Sequence, residues 1–188
     1  MKTKPPHREA GTLTLEEFER LPDDDGWQLE LIRGQVVREP PAGFNNSGIG
    51  VRIATLLDQF VRANNLGRVV GADAGFVLFV EPPTVRVPDV AFVRKERLAF
   101  DGERFAPHAP DLAVEVIGPT DTMSQTQAKV IDYLDAGTRL VWVVDPKSRS
   151  VEVYRSRNEI RLIPEDGDID GGDALPGFRL DVSQLFSS

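Results

Sequence analysis

Val87-Pro88-Asp89-Val90-Ala91-Phe92-Val93 and, further along, Asp111-Leu112-Ala113-Val114-Glu115-Val116-Ile117 are two apolar runs, each with a carboxylate embedded in it. Runs of this length, bounded by turn residues, read as strands. A carboxylate buried in such a strand is costly unless something neutralises it. Asp89 and Glu115, on two separate strands, are the oxygen donors that a hard divalent cation needs as an anchor. Side chains alternate along a strand, so Asp111, Ala113 and Glu115 share one face while Leu112, Val114 and Val116 point into the core. Glu115 can then be an ordinary exposed strand glutamate, but glutamate is depleted in strands and its neighbours are almost wholly apolar.

Outward from these runs the chain alternates helical and strand patterns. Gly118-Pro119-Thr120-Asp121 ends the second run, and a helix is expected from about Thr122 to Asp135, closed by Gly137. It places Gln125, Lys129 and Tyr133 on one face and Val130, Ile131 and Leu134 on the core face. Leu140-Val141-Trp142-Val143-Val144 reads as a central strand. Val151 to Arg155 and Ile160 to Ile163 read as two more.

Upstream, Thr14 is a plausible N-cap for a short helix, Leu15 to Leu21, with Glu17 at the capping-box position and Pro22 to Gly26 stopping it. Trp27 to Ile32, Arg33-Gly34 and Gln35 to Arg38 form a hairpin pattern. Apolar residues from Ile49 to Val61 follow helical spacing within Ser47 to Asn65. Arg68-Val69-Val70 starts a strand that Phe76 to Val80 is expected to continue. Residues 1–13 read as a flexible leader and 14–188 as one domain. The order of elements implies an α+β fold (α/β-like), with a mixed β-sheet flanked by helices.

Composition narrows the chemistry. The chain has 188 residues, 40% hydrophobic and 28% charged, which suits a globular domain with a real core. It contains no cysteine, so thiolate zinc sites, disulfides and cysteine nucleophiles are excluded. His7 and His108 are the only histidines, which leaves little for a histidine metal site or a serine–histidine triad. No stretch approaches the roughly 18 apolar residues of a membrane span, and the reading places the protein in the cytoplasm without a membrane partner. The formal net charge of −8 argues against a broad electropositive surface for nucleic acid. Local phosphate binding remains compatible with it, because a bound cation offsets the acidic groups that hold it.

Five motifs then occur in one order. They are Glu30-Leu31-Ile32-Arg33-Gly34-Gln35-Val36-Val37, Val87-Pro88-Asp89-Val90-Ala91-Phe92, and Pro110-Asp111-Leu112-Ala113-Val114-Glu115-Val116-Ile117-Gly118-Pro119. Lys129 to Tyr133, with Gly137 and Val141 to Pro146, and Leu175-Pro176-Gly177-Phe178 complete the set. Together they resemble the Uma-type family of restriction-endonuclease-like proteins in the PD-(D/E)XK nuclease superfamily, over roughly residues 14–186. The resemblance implies a restriction-endonuclease-like core and Mg²⁺- or Mn²⁺-dependent hydrolysis of DNA. It implies Asp89 and Glu115 as metal ligands, with the backbone carbonyl of Val116 as a third oxygen. Lys129 would be the catalytic lysine, moved to the helix because position 117 is Ile. Glu30 would be a further metal or water-orienting group, and Gln125 and Tyr133 accessory residues.

Three positions depart from the family pattern: Asn46 where a histidine is common, Gln125 in place of an aspartate, and Gly118 in place of a serine. They leave a second reading open, a catalytically inactive nuclease-fold domain that binds nucleic acid or a protein partner. A metal-dependent hydrolase of small phosphoesters is a third. Arg94, Lys95 and Arg97 are candidates for DNA contact, with Arg52, Arg62, Arg68 and Arg86 scattered elsewhere. Asp166 to Gly171 mimics the opening of a calcium loop but lacks its final glutamate, so it reads as an acidic surface loop. A homodimer is plausible, since cutting both strands of a duplex takes two sites.

Overall fold

The computed structural model describes residues 11–22 and 26–187, so His7 and the centre of the Pro22–Gly26 stop lie outside the described residues. Helix α1 (Leu15–Glu19) opens with the expected capping box, Thr14 accepting from the Glu17 amide while the Glu17 carboxylate accepts from the Thr14 amide. Strands β1 (Gln28–Ile32) and β2 (Gln35–Glu39) form the hairpin. Its turn residues Arg33 and Gly34 both have positive φ, 51° and 81°, as a tight two-residue turn requires. Leu13, which falls within the expected leader, is held in place. The Leu13 amide donates to the Gly34 carbonyl at 2.8 Å, and the Leu13 side chain packs on Phe18, Leu31 and Val85.

Helix α2 (Phe44–Ala63) begins three residues earlier than its spacing implies, with Gly43 as N-cap. Then come β3 (Gly67–Gly71), β4 (Phe76–Phe79), β5 (Thr84–Arg86) and β6 (Val90–Arg94). A Cβ at Gly67, whose φ is +157°, would collide with the Val93 carbonyl, so the close approach of β3 to β6 needs glycine there. The chain continues through β7 (Leu112–Val116), α3 (Met123–Asp135), β8 (Leu140–Asp145), β9 (Ser150–Ser156) and β10 (Glu159–Ile163). It closes with β11 (Asp168–Asp170), β12 (Arg179–Asp181) and α4 (Ser183–Phe186).

A mixed six-stranded sheet in the order β10-β9-β8-β7-β6-β3 dominates. Its β7 and β8 run parallel, Glu115 opposite Val143, and α3 supplies the crossover that a parallel pair needs. A second sheet, β2-β1-β5-β4, is antiparallel, and β11 pairs with β12. Strand β4 therefore does not continue β3, as expected from sequence; the two lie in different sheets, because Gly71 to Gly75 turns the chain out of the first. The expected acidic surface loop is likewise a paired strand, its Ile169 buried between Asp168 and Asp170.

Both faces of the large sheet are covered. On one, Ile53, Leu57 and Val61 of α2 pack on Phe92, Leu112, Val114 and Trp142. On the other, Val130 and Tyr133 of α3 pack on Ala91, Ala113, Val141 and Val143. The small Ala91 and Ala113 let α3 lie close to the strands. Ile131, expected in the core face, is instead 40% exposed, and Tyr133 takes the buried place. The helix turns its Lys129–Tyr133 stripe inward because a polar group on β7 awaits it. Among the described residues, no helix is long and apolar enough to cross a membrane.

Candidate active site

Glu115 is near the C-terminal end of β7, on the face covered by α3, and only 7% exposed. The reading of it as a solvated strand residue is thereby excluded. Its Oε1 accepts from the Tyr133 hydroxyl at 2.8 Å, and its Oε2 from Lys129 Nζ at 3.3 Å. Asp89 is not within a strand, as expected; it occupies the bend between β5 of the small sheet and β6 of the large one. The bend exists because consecutive strands enter different sheets and Pro88 cannot donate to a ladder. Asp89 Oδ2 accepts from the Val116 amide at 2.7 Å, which fastens it beside Glu115.

Burial pushes the Glu115 carboxyl up to about 7; Asp89 and Glu30 add to the rise, while Lys129 and the Tyr133 hydroxyl oppose it. Burial also raises Asp89, against the Val116 amide and Lys129. Lys129 is the converse case. Its burial disfavours the ammonium, yet Glu115, Glu30 and Glu39 outweigh that and hold it protonated well above its ordinary range. Such perturbed groups, gathered at one recess, mark functional sites.

The recess has a volume of about 20 Å³ and is lined by Glu39, Glu115, Val116, Asp121 and Lys129, among others. That is room for one water-sized occupant. Two of its carboxylates escaped the sequence reading. Glu39, at the end of β2, lies 3.7 Å from Lys129 Nζ, and Asp121 accepts from the Gly118 amide at 2.6 Å. Asp121 stands in a turn with ordinary turn chemistry and gave no signal. Glu39 precedes Pro40-Pro41 at the end of a hairpin strand, and only the tertiary arrangement brings it near Lys129.

The remaining candidates have other partners. Glu30 is fully buried; Arg86 Nη1 donates to its Oε2 at 2.6 Å and the Val87 amide to its Oε1 at 3.0 Å. Arg86 is itself buried, which excludes it from touching DNA, and its other arm reaches Asp132 Oδ2 on α3 at 2.6 Å. Gln125 completes a capping box with Thr122, and Asn46 Nδ2 donates to the Ile117 carbonyl at 2.9 Å. Arg97 pairs with the buried Asp111 at 2.9 Å, and the Arg94 amide donates to the same carboxylate. Lys95 is exposed. Arg94 closes β6 and Lys95 to Arg97 form a short 3₁₀ turn just beyond it, so the basic cluster is a strand's length from Asp89, about 16 Å.

The donor set suits a small hard cation. The buried Glu115, the half-buried Asp89 and the backbone of Val116 offer oxygen donors only, and Lys129 supplies the one positive charge among the residues lining the recess. Among the described residues no three acidic or histidine side chains gather as a ready-made cage. A cation here would take its remaining ligands from backbone and water, as Mg²⁺ commonly does.

Comparisons with known proteins bear on the family and the fold. The Uma2 family model, described as "Putative restriction endonuclease", matches residues 15–183. A crystal structure described as a "putative nuclease belonging to DUF820", from Anabaena variabilis, superposes with a TM-score of 0.80 at 21% identity, covering 93% of this chain and 97% of that one. That likeness establishes the nuclease-type fold. No curated protein matches.

Proposed function

The chain belongs to the Uma2 family, and from that premise we propose that it is a divalent-cation-dependent endonuclease that hydrolyses DNA phosphodiester bonds. The observation that carries the reading is the meeting of Glu115 with Lys129 at one recess, with Asp89 tied to the next residue of the same strand. Asp89, Glu115 and the Val116 carbonyl would hold Mg²⁺ or Mn²⁺. When bound, the cation polarises the phosphate and lowers the pKa of water. The chain's own groups do the rest. The Val116 amide aims the Asp89 carboxylate, and the Tyr133 hydroxyl fixes the rotation of Glu115. Lys129, kept protonated by its acidic neighbours, presents a positive charge where the phosphate gains negative charge in the transition state.

Purified protein with Mn²⁺ should nick or linearise a supercoiled plasmid. Asp89→Ala and Glu115→Ala should each abolish cleavage, and Lys129→Ala should slow it by about 10²- to 10³-fold. Undiminished cutting by both carboxylate variants would remove the assignment. Cleavage of both strands calls for two sites, so we expect a homodimer, which sedimentation equilibrium would reveal.

A non-cutting nucleic-acid- or protein-binding domain is the second reading. It is favoured by Gln125, which caps its own helix, and by the net charge of −8. Titration calorimetry separates the two: a non-catalytic site with no ligand geometry takes up no Mn²⁺.

A further inference from the structure

Arg86 joins two parts of the molecule that each bear one piece of the site. One arm bonds Glu30 of β1 at 2.6 Å, and Glu30 in turn accepts the Val87 amide at 3.0 Å, two residues before Asp89. The other arm bonds Asp132 through both Nε, at 3.0 Å, and Nη2, at 2.6 Å. Asp132 lies on α3 between Lys129 and Tyr133. A guanidinium is suited to this, since its planar fork fixes two carboxylates at a set angle and spacing. The two carboxylates also hold Arg86 in its charged form despite burial.

We propose that Arg86 is a positioning residue: with Glu30 and Asp132 it clamps the Asp89 bend to α3, and so sets the spacing between the carboxylate pair and Lys129. The clamp touches neither cation nor DNA and acts only through the backbone of Val87 to Asp89 and the axis of α3. Glu30 is thus assigned to hold the bend, not to bind metal, because both its oxygens are engaged. The catalytic consequence rests on the nuclease reading; the geometric one does not. A misplacement on the order of 1 Å is enough to slow a reaction about 100-fold.

The test uses Arg86→Lys and Asp132→Ala, with Asp132→Asn as the conservative partner that keeps an acceptor for Arg86. Asp132 is at the rim of the cluster, so its replacement should leave the protein folded at 25 °C. Three readouts are taken: plasmid cleavage with Mn²⁺, the Mn²⁺ dissociation constant by calorimetry, and the amide resonance of Val116, which reports its bond to Asp89. Asp132→Ala should lower kcat by about 10- to 100-fold with KM and Mn²⁺ affinity within about two-fold, since it frees α3 alone. Asp132→Asn should recover most of that loss. Arg86→Lys, which loses the fork, should shift the Val116 resonance and weaken Mn²⁺ binding by roughly ten-fold. A folded Arg86→Lys protein with the Val116 resonance unmoved would overturn the clamp, as would an Asp132→Ala protein with unchanged kcat. If the wild-type protein neither cuts DNA nor binds Mn²⁺, the nuclease reading fails, while the Val116 resonance still decides the clamp.

Discussion

Glu115 is the residue whose environment has the clearest measurable consequence. In the metal-free protein its carboxyl is raised to about 7, chiefly by burial, and Asp89 and Glu39 are raised for the same reason. An unfolded glutamate titrates at about 4.3. Between those values the folded protein holds a proton that the unfolded chain has released, so stability falls as pH rises through that window. A shift of this size corresponds to about 3–4 kcal/mol. The Tm of metal-free protein should therefore be higher at pH 5 than at pH 8, and Glu115→Gln should flatten the difference. A wild-type Tm that rises with pH over this range would contradict the burial argument. Tyr133→Phe removes the hydroxyl that steadies the ionised Glu115, at a cost of about 1–2 kcal/mol above pH 7, measurable by urea denaturation. Asp89 and Glu115 were legible because acidic residues interrupt apolar runs. Glu39 and Asp121 were not, since neither interrupts a pattern.

At the scale of elements, caps, turn residues and unbroken apolar runs make several helices and strands legible in the sequence. These include α1 with its capping box, the β1–β2 hairpin, and β8 at the centre of the large sheet. Tertiary pairing decides the rest. Helical spacing assigned Ile131 to the core, but the polar end of β7 drew Lys129 and Tyr133 beneath α3 and turned Ile131 outward. Ile131→Lys should then alter stability by no more than about 0.5 kcal/mol, whereas Leu140→Ala in β8 should cost about 2–5 kcal/mol. Equal losses in chemical denaturation would restore Ile131 to the core. Nor could sequence tell that β3 and β4 belong to different sheets, because both read as strands and only their partners distinguish them.

Across the whole molecule, the balance of charge governs any encounter with DNA. Many basic side chains are already engaged: Arg62 with Asp58, Arg149 with Glu165, Arg155 with Asp170, Arg157 with Asp135. With a net charge of −8 besides, few phosphates can be neutralised directly. The affinity for duplex DNA should therefore depend only weakly on NaCl, with a logarithmic slope of magnitude no more than about 3, measurable by fluorescence anisotropy in Ca²⁺. A slope near 8 would reveal a large basic surface. The proposed site draws on β1, β2, the crossing between two sheets, β7 and α3, so no stretch of the chain carries it alone. A nascent chain leaving the ribosome, or a proteolytic fragment of either sheet, would be harmless to the DNA around it. Destructive chemistry would thus be licensed only by completed folding.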